Sequence, residues 1–134
     1  MPKQGDRSMI MKSKDGQPYI LHYQPKLLKL EKKRIQFIAK ALAPVIPWEE
    51  PIEITIEFYF PWRKDTSQKI KEEWIANGVN FKSTKPDLDN LEKMICDALE
   101  GIIFKNDSQI VRKKSEKLYC DAPHIEVMVK KIER

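Results

Sequence analysis

Four carboxylates and one lysine stand close together in the second half of the chain: Asp87, Asp89, Lys93, Asp97 and, after a short apolar link, Asp107. Two acids at a helix start, a third on a nearby turn and a lysine one helical turn on suit Mg²⁺-dependent phosphoryl chemistry. Mg²⁺ is a hard cation that takes oxygen ligands, keeps several waters and needs only a few carboxylates. A blander reading stands beside this one. Acids gather at helix starts for dipole reasons alone, so Asp87 could merely cap the helix while the others are solvated.

The elements that would position these groups can be read from the flanking residues. Pro86 stops whatever precedes it, Asp87 begins a new helix, and Gly101 supplies a left-handed stop. Leu91, Ile95 and Ala98 form one stripe, flanked by Met94 and Leu99, and Asp89, Lys93 and Asp97 fall on the other side. The link Ile102 to Phe104 is expected to return Asp107 beside the helix start. Asp97 lies about 12 Å along the axis from Asp89 at 1.5 Å per residue, too far to share an ion, and a supporting role is expected for it.

The whole string reads D-L-D-N-L-x-K-x-x-x-D-A-L from Asp87 to Leu99, followed by N-D-x-Q from Asn106 to Gln109. It resembles the signature of the RusA family of Holliday junction resolvases, small and often prophage-borne endodeoxyribonucleases of DNA recombination and repair. Position by position, the resemblance implies that Asp87, Asp89 and Asp107 are metal-site carboxylates and that Lys93 is the catalytic lysine. It implies Mg²⁺ as cofactor, with Mn²⁺ as a substitute, and a homodimer that nicks a four-way DNA junction symmetrically. The family usually shows two adjacent acids at the last turn, where this chain has Asn106 and then Asp107.

Composition is compatible with that partner. The 134 residues suffice for a single domain with one modest core. Lysine and arginine number 25 against 20 acids, a net charge of +5 that permits a polyanionic partner without requiring one. Cys96 and Cys120 lack metal-ligand spacing, and Cys96 is expected to be a free thiol inside the helix. His22 and His124 are too isolated for a zinc site. No apolar run approaches a membrane span and no signal-peptide pattern opens the chain, so a cytoplasmic protein is expected.

In chain order, the polar Met1 to Ser8 leaves no room for the strand that the resembled family commonly carries there. Met9 to Lys12 and Tyr19 to Tyr23 flank Asp15-Gly16, a hairpin signal. A helix is expected from Pro25 to about Ala43, burying Leu28, Ile35, Ile38 and Leu42 and exposing Lys29, Lys33 and Lys40. After the prolines at 44, 47 and 51, Ile52 to Phe60 alternates as a half-buried strand.

Trp62 to Thr84 forms an excursion before the signature. Asp65 and Gln68 resemble a capping box, opening a short amphipathic helix through Ile70 and Trp74 to Asn77-Gly78. Arg63, Lys64, Lys69, Lys71, Lys82 and Lys85 are interleaved here with Trp62, Trp74 and Phe81. Cations for phosphates and rings for exposed bases would suit a DNA-binding flap; a packed Trp74 among solvated lysines is the alternative. Gln109 to Cys120 reads as a charged strand whose Lys113, Lys114 and Lys117 could track a DNA backbone or simply guard a sheet edge. Ile125, Val127 and Val129 define a last strand, expected to pair with the previous one as a hairpin. The fold class is α+β: a small mixed or antiparallel sheet carrying two main helices, similar to the RusA fold. A non-catalytic basic DNA-binding module and a Mg²⁺-dependent hydrolase of another phosphate ester are the competing functions.

Overall fold

The strand that organises the molecule is β3, Ile52–Pro61. Its strict alternation sends Ile52, Ile54, Ile56 and Phe58 to one face, where each is essentially inaccessible to solvent. Strand residues i and i+2 share a face, so four large apolar groups in a row demand a cover. Two helices provide it: α1, Lys32–Leu42, and α3, Leu88–Leu99. Ile35 and Ala39 of α1 meet Leu91, Ile95, Ala98 and Leu99 of α3 in one core with the β3 side chains. This computed structural model describes residues 8–11, 19–23 and 32–133. The Asp15-Gly16 turn, Leu28, Lys29 and the expected start of the first helix lie outside them.

The remaining strands are β1, Ser8–Met11; β2, Tyr19–Tyr23; β4, Ile110–Cys120; and β5, His124–Lys131. They form one five-stranded sheet in the order β1-β2-β5-β3-β4. β3 runs parallel to β4 and antiparallel to β5, while β1–β2 and β2–β5 are antiparallel. The sheet is therefore mixed and the class α+β, as the residue pattern indicates. Ile125, Val127 and Val129 of β5 are buried on the same face as the β3 isoleucines.

One pairing differs from expectation. β4 and β5 are joined through Asp121–Ala122–Pro123 but are not neighbours, because β3 lies between them. Cys120 pairs with Pro61 and His124 with Tyr59, so the connection steps over β3 where that strand leaves the sheet. Crossing one strand is a span of roughly 10 Å at about 4.8 Å per strand, within reach of the few residues available. A short link between two strands suggests a hairpin, but here β3, with Ile52, Ile54, Ile56 and Phe58 buried, stands between them. The charged β4 consequently becomes the edge.

The excursion builds a third helix, α2, Gln68–Ala76. Its N-cap is Ser67, whose hydroxyl accepts from the Ile70 N–H at 3.2 Å; Asp65 instead pairs with Arg63 at 3.5 Å. The expected Asp65–Gln68 box is thus replaced by a cap two residues later. Gly78, at φ +67°, ends the helix as the Asn77-Gly78 pair suggests. No α2 residue is buried.

Candidate functional site

The outward face of α3 meets the start of β4 in a cleft of about 430 Å³. Pro86 and Gly101 bound the helix as read from sequence, and Gly101 adopts the left-handed φ of +84°. Asp89, Lys93 and Asp97 line the cleft together with Glu92, Asp107 and Lys113. Beneath them Cys96 is a free, buried thiol, and burial pushes it up to about 11.

Asp107 is delivered by a compact turn. The Ile102 and Ile103 N–H groups both donate to the Leu99 carbonyl, and the Gly101 N–H donates to Phe104 at 2.7 Å. Trp48 then brackets the link, donating to Ile103 O and accepting from the Lys105 N–H, each at 2.9 Å. The signature residues after it serve the same turn. Asn106 Oδ1 accepts from the Ser108 N–H at 2.9 Å, and the Gln109 side chain accepts from the Asn106 N–H at 2.7 Å. Gln109 Nε2 further donates to the Trp48 and Glu50 carbonyls at 2.9 and 2.8 Å. Asn106, standing where a second acid is usual, is therefore a capping residue for the single 3₁₀ turn Asp107–Gln109.

The turn doubles back at once and sets Asp107 against the end of α3, while Asp89 in the first turn of the helix lines the same cleft. Ligand atoms of Asp97, Glu100 and Asp107 all lie within 4.8 Å of one another, and the Asp107 N–H donates to Glu100 Oε2 at 3.0 Å. Asp97, expected to lie too far from Asp89 to share an ion, sits against Glu100 and Asp107. Glu100 was missed, although its signal was available. It lies eleven residues from Asp89, which at 3.6 per turn returns to the same helix face. Lys93 Nζ is 3.9 Å from Asp97, an exposed i,i+4 pair.

Asp87 holds the N-cap position of α3, but its side chain makes no capping bond; it is exposed and is not part of the cleft wall. The expected DNA-binding cations divide by location. Lys113 reaches into the cleft and pairs with Glu92 at 3.2 Å; its hydrogen bond to that carboxylate raises its pKa. Glu92 also accepts from the Ser115 hydroxyl, so it is held on both oxygens. Lys114 pairs with Thr55 in register and so points to the sheet's other face. Lys117 Nζ donates to the Thr84 and Pro86 carbonyls at 2.6 and 2.7 Å, tying down the approach to Asp87. Arg63, Lys64, Lys69 and Lys85 are exposed on or beside the excursion. Lys82 lies over the Phe60 and Tyr119 rings and bonds the Thr84 hydroxyl. His124, away from the cleft, stacks on Tyr59 at 4.3 Å.

The acids Asp97, Glu100 and Asp107 offer only oxygen donors, the kind a hard divalent cation takes. The model of the endodeoxyribonuclease RusA matches residues 2–130, and the chain belongs to that family of nucleases. It is also 34% identical over 109 residues to the uncharacterized protein YqaN of Bacillus subtilis (strain 168), across 81% of this chain and 77% of that one. No helix among the described residues is long and apolar enough to cross a membrane.

Proposed function

We propose that the chain is one nuclease domain that hydrolyses DNA phosphodiesters with Mg²⁺ at the α3 cleft, and that its substrate is a four-way junction. The observation that carries the reading is the convergence of Asp97, Glu100 and Asp107 within 4.8 Å of one another, Asp97 and Asp107 lining a cleft shared with Asp89 and Lys93. The donors are all carboxylate oxygens and the cleft is open to water, which suits a hard cation that retains part of its hydration. The signature makes Asp87, Asp89 and Asp107 the metal-site carboxylates; Asp89 and Asp107 line the cleft while Asp87 stands outside its wall at the N-cap of α3, and the closeness of Asp97 and Glu100 to Asp107 supports adding them. Mn²⁺ would fit the same donors.

Mg²⁺ bound there would lower the pKa of a bound water and neutralise charge on the phosphate. The protein's own part is placement and charge. Lys93, exposed on the same helix face, stabilises negative charge as it develops on the phosphate oxygens. Glu92 holds Lys113 at the cleft wall, where its ammonium group meets a phosphate of the strand. Arg63, Lys64, Lys69, Lys82 and Lys85 extend positive charge from the cleft along the excursion. A homodimer with two such clefts would nick symmetric strands of one junction, the act expected of a resolvase in recombination and repair.

The test is cleavage of a synthetic four-way junction, a plain duplex and a flap, each with and without Mg²⁺. Symmetric, Mg²⁺-dependent nicking confined to the junction is expected. Junction binding without cutting under any metal condition would favour the non-catalytic binding module instead.

A further inference from the structure

The aromatic cluster of the excursion has no part in the acid chemistry. Ile70, Trp74, Ile75, Val79 and Phe81 all stand exposed, within one short stretch of chain. Contiguous apolar surface left in water marks an interaction site. This surface is also organised. Trp62 lies nearly flat on Tyr119, with ring centroids 5.2 Å apart and planes 19° from parallel. Trp74 leans toward Trp62, with ring centroids 6.3 Å apart and planes tilted by 52°. Together with Phe81 they wall a recess of about 410 Å³, rimmed by Arg63, Ser67 and Thr84. The Trp62 indole N–H is closed off from solvent and has no acceptor among the described residues. A tryptophan that served packing alone would ordinarily satisfy that donor.

The recess is fastened to the sheet edge that runs to the acid cleft. The Tyr119 N–H donates to Asn80 O, and Asn80 Nδ2 to Tyr119 O, each at 2.8 Å; the Lys82 N–H donates to Lys117 O at 3.0 Å. Lys117 in turn holds the carbonyls of Thr84 and Pro86, immediately before Asp87. Rings and acids are thus two stations along one path. Between Trp62 and Lys85 there are six cations against three acids. Flat aromatic walls inside a positive surround match a planar ring that carries phosphate, and not an apolar peptide.

We propose that the Trp62–Trp74–Tyr119 recess is a subsite for a single unstacked nucleobase of the DNA strand, its flanking phosphates meeting the lysines of the same segment. This rests on the reading of the cleft as a DNA-cutting site. Removing a base from its stack is easiest where the duplex is already interrupted, so the subsite would favour branched or single-stranded over continuous DNA.

The experiment uses the full chain in EDTA, where cutting is suppressed. A twelve-nucleotide single strand carrying 2-aminopurine, the same strand with an abasic position there, and the matching duplex are titrated, with Trp74→Ala alongside. We expect 2-aminopurine quenching by the unaltered protein and roughly 10–100-fold weaker single-strand binding by Trp74→Ala, the worth of one stacked base. Trp74→Phe should recover most of it, and duplex affinity should not move. No quenching, or equal losses on strand and duplex, overturns the subsite. Melting of Trp74→Ala is followed in parallel; a collapse there would make Trp74 a core anchor and overturn it too. Junction cleavage with Mg²⁺ is scored separately. Quenching without cleavage defeats the nuclease reading alone, and cleavage without quenching defeats the subsite alone.

Discussion

The acid cleft and the aromatic excursion are both DNA-facing in the proposed function, yet they are built in opposite ways. The cleft stands on α3, which buries Leu91, Ile95, Cys96, Ala98 and Leu99, and its last acid is locked by a turn bonded to Trp48 and Glu50. The excursion carries α2 with no buried residue at all and is fastened mainly by backbone bonds from Asn80 and Lys82 to the β4 edge. A metal site needs donors fixed to a fraction of an ångström, whereas a surface that accepts varied strands tolerates adjustment. The two constructions follow from those two demands. Covering the outer edge of β4 with residues 80–82 also protects an edge that would otherwise be open to pairing.

Stability separates the regions most strongly. Ile95→Ala, at a position with no exposure beneath the cleft, is expected to lose about 2–5 kcal/mol in denaturant unfolding. Trp74→Ala, at 37% exposure, should lose no more than about 1 kcal/mol despite removing a larger side chain. Equal losses would erase the contrast between a rigid and an adaptable half.

Catalysis should separate them next. Lys93→Ala is expected to reduce the rate of junction cutting by about 10²–10³-fold with affinity nearly unchanged, the loss that the proposed role of stabilising charge developed in the transition state requires. Lys64→Ala or Lys69→Ala should instead weaken binding and lower its salt dependence by about one phosphate contact. If Lys93→Ala weakened binding alone, it would belong with the phosphate contacts.

The smallest effect tests the turn. Gln109→Ala removes the Gln109 half of the capping box at the Asp107 turn and two bonds to the 48–50 loop, and about 1 kcal/mol of stability should go with it. Cutting should fall with it, because Asp107 loses its fixed position. Unchanged melting and unchanged cutting would mean that the turn holds its shape without Gln109.

What the sequence made legible was whatever local periodicity and punctuation determine. The 3.6-residue pattern between Pro86 and Gly101 identified α3 and its acidic face, and the two-residue pattern identified β3. The place of Asp107 depended on something else. Whether the chain after Gly101 reaches the start or the end of α3 is decided by Gly101 bonding Phe104 and by Trp48, half a chain away. Helix periodicity alone therefore does not bring Asp97 or Glu100 together with Asp107. The β4–β5 arrangement is hidden for a related reason: a short link is ambiguous between a hairpin and a step over an intervening strand, and nothing local in the link distinguishes the two. The hydrogen bonds that hold Lys117 to residues 84 and 86 were likewise invisible, since a lysine in a charged strand looks the same whether it faces solvent or backbone.

The most direct measurement is the rate of four-way junction cleavage by the unaltered protein and by Asp107→Asn across a Mg²⁺ titration, with junction affinity measured alongside. The account expects cutting that rises with Mg²⁺ and falls by more than about 100-fold in Asp107→Asn, beyond what loss of an outer partner of a metal site costs. Binding should be intact or tighter, because a negative charge has left the path of the phosphates. Near-normal Mg²⁺-dependent cutting by Asp107→Asn would contradict the assignment of this cleft as the metal site.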